Sequence, residues 1–201
     1  MRRHPLIAIV FAAFFAWSLS NWIADRPVHP RDGILAEADP AQTDAESSAP
    51  ISMGRWTLTP RAHYEITARV LARERYYIDG LSDLIPEDLA LGWGPMSDNR
   101  ILSTIDISQS GRFYFWHTHA DTPIPFATII DHSANTHVIP VDGVVRRDLL
   151  RLRRGQLVAL SGDLVDGKRD DGRWIKTSMV RNDTGPGACE VMLVRKVAVL
   201  Q

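Results

Sequence analysis

Cys189 is the only cysteine in 201 residues, and a thiol that gives up its proton is a strong nucleophile. It follows the turn Gly185-Pro186-Gly187-Ala188, which suits a sulfur presented at a bend. His132 and His137 stand in one run, Asp131 to Pro140, as candidate bases, and Asn135 between them is a candidate to orient one. Together they follow the logic of a Cys-His-Asn arrangement, although no familiar local signature surrounds the cysteine. The competing reading makes Cys189 a small buried hydrophobe at the start of an apolar strand from Val191, the commoner fate of a free cysteine. Glu190 speaks for that reading, since a neighbouring carboxylate disfavours a thiolate.

Metal chemistry has weaker support. His117-Thr118-His119 puts two imidazoles on one side of a strand, and His132, His137, Asp121 or Cys189 could complete a tetrahedral set. No spacing matches a zinc motif, so the expectation is no metal and no cofactor. Arg146, Arg147, Arg151, Arg153 and Arg154 gather against Asp142 and Asp148. They read as a solvated helix face whose last arginines suit the helix dipole, not as a nucleic-acid surface. A formal charge of -1 agrees, because no global field draws the chain to nucleic acid. Trp93, Asp98, Asn135, Arg181 and Asp183 are candidate binding residues; an Arg-Asp pair beside a Gly-rich turn either ties loops together or recognises a polar ligand.

Four stretches carry a resemblance: Leu91 to Asp98, Asp131 to Pro140, Arg181 to Glu190, and Gly155 to Val165. In these the chain resembles a group of uncharacterised bacterial membrane-anchored proteins with a single N-terminal span and one extracytoplasmic domain. The resemblance covers most of residues 54–201 and implies architecture and location, but no reaction.

The elements that must position these residues are legible in part. Arg55 to Thr59 and Tyr64 to Val70 have the two-residue period of strands, and Leu71 to Tyr77 has helix-forming composition. Pro86 to Leu91 reads as a short helix with proline in its first turn, ended by Gly92-Trp93-Gly94-Pro95. Ile101 to Ile107 and Arg112 to Trp116 read as strands joined by Ser108 to Gly111. Asp142 caps a helix whose apolar positions are Val145, Leu149 and Leu152, with Gly155 as its stop. Gln156 to Val165 is a strand bent at Gly162, Arg173 to Met179 follows a polar turn, and a last strand runs from Val191 to Leu200. The expected fold class is α+β, a small OB-like β-barrel with short helices, preceded by one transmembrane helix.

Location comes from the first residues. Arg2 and Arg3 precede Leu6 to Ile23, a charge-free apolar run that makes a helix of roughly 27 Å, close to the hydrocarbon thickness of a bilayer. Arginines stay on the cytoplasmic side, so residues 1–24 are expected to anchor the chain in the inner (cytoplasmic) membrane, single-pass, N-terminus inside. A signal peptide cut between Ser20 and Asn21 is the alternative. Residues 25–53, rich in Ala, Pro, Asp, Glu and Ser, are expected to be a disordered acidic linker. Residues 54–201 form the folded domain, in the periplasm or outside the cell. The function these features point to is a non-enzymatic binding or assembly module of an envelope complex, with a protein partner. The alternative is a cysteine-dependent hydrolase or transferase using Cys189 with His132 or His137.

Overall fold

The structure, a computed structural model, describes residues 10, 11, 15, 26–45 and 48–201. The span expected over residues 1–24 lies, but for three positions, outside them. Among the described residues no helix is long and apolar enough to cross a membrane.

The domain is α+β, mostly strand with a few short helices. Its longest element is a 20-residue strand, Trp56–Arg75 (β3), preceded by Ala41–Asp44 (β1) and Ile51–Met53 (β2). Then come Glu87–Gly92 (β4), a 3-10 turn at Gly94–Ser97, the helix Asn99–Leu102 (α1), and the strands Ile105–Ser110 (β5) and Phe113–Thr118 (β6). The second half holds the helix Phe126–Asp131 (α2), the strand Ser133–Pro140 (β7), the helix Gly143–Leu149 (α3), and the strands Leu157–Arg169 (β8), Trp174–Ile175 (β9) and Glu190–Val199 (β10).

β3 alternates strictly at first: Trp56, Leu58, Pro60, Ala62, Tyr64 and Ile66 are buried while the residues between them face out. This is the period of a strand with one wet face. From Val70 to Ala72 both faces are covered, because β4 joins one edge and the β5–β6 hairpin packs above. Pairing runs from β3 to β4, β4 to β7, β7 to β10 and β10 to β8, and β8 pairs back to β3. All are antiparallel except β7 with β10. Side chains from these five strands, with Leu149 and Leu152, make the main core around Tyr64, Leu91, Trp93 and Leu160. Gly162 marks where β10 crosses β8 closely: a Cβ there would collide with the Leu193 carbonyl oxygen.

Three local readings are corrected, the first being that Ile101 and Leu102 lie in α1, so the strand expected from Ile101 begins only at Ile105. Pro86 to Leu91 is not a helix but β4, every residue of it buried. Ala and Leu favour helices only weakly, and two flanking strands that satisfy both backbone edges outweigh that preference. Likewise Leu71 to Arg75 continues β3. Helix α3 starts where expected, with Asp142 Oδ1 accepting from the Val144 and Val145 amides at 2.8 Å, but ends at Leu149, ahead of Leu152 and Gly155.

Over residues 26–45 and 48–53, within the segment 25–53 expected to be an acidic linker, the chain is held against the domain. β1 and β2 pair with β3, and the stretch before them is clamped by Trp93 to Asn99. Ser97 Oγ accepts from the Leu35 and Ala36 amides at 3.0 and 3.1 Å, Asp98 Oδ1 from the Gly33 amide at 3.0 Å, and Trp93 Nε1 donates to Asp39 at 3.0 Å. Gly94 N donates to Ala36 O, and Val28 N to Arg154 O. Composition predicts disorder when a segment cannot bury apolar surface. Here backbone amides find fixed acceptors on the domain instead.

Candidate functional site

Three neighbouring strands, β4, β7 and β10, build the site. Asp88 on β4 is paired directly with His137 on β7, and the parallel register of β7 with β10 sets His137 beside Val191, close to Cys189 at the start of β10. Asn135 and His137 are two apart in a strand, so they share a face.

On that face His137 Nδ1 lies 2.8 Å from Asp88 Oδ1, and the Cys189 thiol is close enough to the same imidazole to raise its pKa. Asn135 Nδ2 donates to Cys189 Sγ at 3.5 Å and to Arg112 O at 3.2 Å, while Gln109 Nε2 donates to Asn135 Oδ1 at 2.6 Å. The amide is therefore fixed from both ends. Asp88 is wholly buried and the His137 side chain is 14% exposed, whereas Cys189 is half-buried.

Arg112 locks the arrangement from the tip of the β5–β6 hairpin. It is the one described non-glycine residue at positive φ, 70°, which the tight turn after Gly111 demands and which costs about 1 kcal/mol for a side chain with a Cβ. Its guanidinium donates to Asp79 at 2.7 and 2.9 Å, to Asp88 Oδ1 at 3.2 Å and to Ile85 O at 3.0 Å. It also stacks 3.9 Å from the Tyr76 ring centroid. The Arg112 carbonyl sits 3.9 Å from Cys189 Sγ.

Cys189 stands between two hollows. One, of about 260 Å³, is walled by Phe113, Tyr114, Trp116 and Ile130, with Asn135, Arg181, Asp183 and Glu190 as its polar groups. The other, of about 690 Å³, holds His137 with Leu81, Trp174, Met179 and Val180. Arg181 Nη1 lies 2.8 Å from Glu190 Oε1 and donates to Tyr64 OH at 3.1 Å. Asp183 accepts from Ser178 Oγ at 2.7 Å.

Burial opposes charging His137, but Asp88 and Cys189 outweigh it and hold its pKa up at about 9. Burial pushes Glu190 up to about 7, with Arg181 opposing. Both groups bind a proton more tightly folded than unfolded, so both stabilise the fold at low pH. Glu190's contribution is complete below about 4.5 and lost by about 7; His137's is complete below about 6.5 and lost through about 9. We expect unfolding free energy in urea to fall across this range by roughly 3 kcal/mol for each group. Glu190→Gln should flatten the lower half of the profile and His137→Gln the upper half. A wild-type profile level from pH ~5 to ~9.5 would contradict this.

Of the residues singled out by sequence, Cys189, His137, Asn135, Arg181 and Asp183 come together. His132 does not: it ends α2, its Nδ1 meets Thr128 O at 2.9 Å, and its ring packs 6.4 Å from Trp93. Trp93 and Asp98 serve the N-terminal clamp, with Asp98 also capping α1 through the Arg100 amide. His119 pairs with Asp106 on the exposed hairpin at 3.1 Å. Among the described residues no group of three His, Cys, Asp or Glu is placed to hold a metal ion. Asp88, Arg112 and Gln109 were missed. Asp88 falls in a segment whose composition reads as helix, and nothing in the sequence marks Arg112, whose positive φ is visible only in the structure. Comparison with protein-family models, curated proteins and solved structures finds no match for this chain.

Proposed function

We propose that the protein is a cysteine-dependent transferase or hydrolase, with Cys189 as nucleophile, His137 as its proton partner and Asp88 as the group that positions the imidazole. The observation that carries this reading is the placement of Asp88 on β4, His137 on the adjoining β7 and Cys189 just before the adjoining β10, with the sulfur at the edge of two hollows. An imidazolium beside the sulfur can hand its proton to a departing group. Attack on an acyl carbon makes the S–C bond, His137 passes its proton to the departing oxygen or nitrogen as the old bond breaks, and a thioester remains on Cys189. Water or an acceptor, deprotonated by the now neutral imidazole, then takes the acyl group and releases the thiol. Asn135 steadies the sulfur.

The frame proposed for this chemistry is an OB-like barrel. The ring of pairings β3-β4-β7-β10-β8-β3, with β7 and β10 parallel and α3 between β7 and β8, supports that reading. Residues 1–24 are proposed as a single cytoplasmic-membrane span holding the domain outside.

The test uses p-nitrophenyl acetate with the full chain. The expected result is a burst of one nitrophenolate per protein and an acetyl group on the Cys189 peptide by mass spectrometry. Labelling no faster than in the urea-unfolded chain rejects the reading. A second reading, a non-enzymatic envelope assembly module, is favoured by Phe113 and Phe115, exposed 6.4 Å apart on the hairpin, and by exposed Trp174. It requires no such burst.

A further inference from the structure

We infer that the cleft beneath the N-terminal segment is a binding site for a phosphate group, with Arg69 and Arg154 as its cationic ligands. This site is separate from Cys189 and stands whether or not the thiol is catalytic. The cleft holds about 650 Å³; Val28, Leu71, Leu102 and Ile107 give it an apolar wall, and the two arginines face it.

Arg69 is 7% exposed. Among the described residues its fork of donors makes one hydrogen bond, Nη1 to Ser97 O at 3.3 Å, and it has no ion pair. A buried cation with so little compensation is costly. The cost is visible in its acidity: burial, and then the charge of Arg154, press its pKa below the ordinary value, with Asp98 alone opposing. Asp98 is already engaged by Arg100 at 3.0 Å. Asp32, the carboxylate among the lining residues, is exposed and lies in the field of Arg100. An oxyanion between Arg69 and Arg154 would relieve their repulsion and satisfy the idle donors, and planar guanidinium forks match phosphoryl oxygens in pairs.

Close backbone approach shapes the cleft. Gly155, at φ 91°, has the Val28 carbonyl where a Cβ would stand, so the N-terminal segment lies directly against the loop carrying Arg154. Pro27 and Val28 line the cleft, and from Ile23, the end of the proposed span, to Val28 is at most about 18 Å of extended chain. On the membrane-anchor reading a lipid headgroup is then within reach; a soluble phosphate ester is the other source of the same chemistry.

The test is isothermal titration of the full chain in neutral detergent with dihexanoylphosphatidylglycerol, inorganic phosphate and dihexanoylglycerol. The expected result is binding of the phospholipid that weakens at least tenfold in Arg69→Gln and in Arg154→Gln. Arg154 is exposed, so its variant keeps the fold even where Arg69→Gln fails. Inorganic phosphate binding as tightly, with the same Arg154 dependence, assigns the site to soluble phosphate. No binding of either, binding indifferent to Arg154→Gln, or equal binding of the phosphate-free diacylglycerol overturns the inference.

Discussion

His137→Gln is expected to slow acetylation of Cys189 by p-nitrophenyl acetate roughly a thousandfold at about pH 7.5. The variant removes the group that holds the proton beside the sulfur, while the glutamine amide can still meet Asp88. Wild-type His137, with its pKa raised to about 9 by Asp88 and Cys189 against burial, carries that proton throughout the neutral range. The slope of the acetylation rate against pH between ~6.5 and ~8 should therefore differ between wild type and variant. A purely structural role for His137 would lower the melting temperature without altering that slope. Retention of the wild-type rate within about threefold would remove His137 from the chemistry and leave the assembly reading. Cys189→Ser supplies the blank, since no other thiol is present in the chain.

Arg112→Ala is expected to cost about 3 to 5 kcal/mol of folding stability, the range for stripping the partner from a buried charge. Asp88 is fully buried and would lose its guanidinium, Asp79 its paired hydrogen bonds, and Tyr76 the cation over its ring. Arg112→Gly should be about 1 kcal/mol less damaging, because it deletes the same contacts but relaxes the positive φ. Urea unfolding of the three proteins measures both differences. Alanine within about 1 kcal/mol of wild type would show that Asp88 finds other compensation. Since the Arg112 guanidinium also donates to Asp88, the carboxylate beside His137, both variants should acetylate more slowly even where they remain folded.

By itself the sequence determined what depends on near neighbours. Asp142 capping α3, the apolar periods of β8 and β10, and the hairpin after Gly111 follow from turn chemistry and from periods of about 2.0 and 3.6. The apolar run after Arg2-Arg3 belongs here too, as an expectation about location. What the tertiary structure decided was every relation between distant segments. Glu87 to Gly92 carries helix-forming residues, yet it is a strand because β3 and β7 complete its hydrogen bonds on both edges. That pairing alone places Asp88 against His137. Residues 26–45 look like a tether in composition, but Ser97 and Asp98 supply acceptors that no local reading could assign to them. Cys189 began as a lone thiol with a favoured burial in an apolar strand. Its partners come from two other strands and a hairpin tip, because side chains meet across hydrogen-bonded strands in a register that is set by the whole sheet.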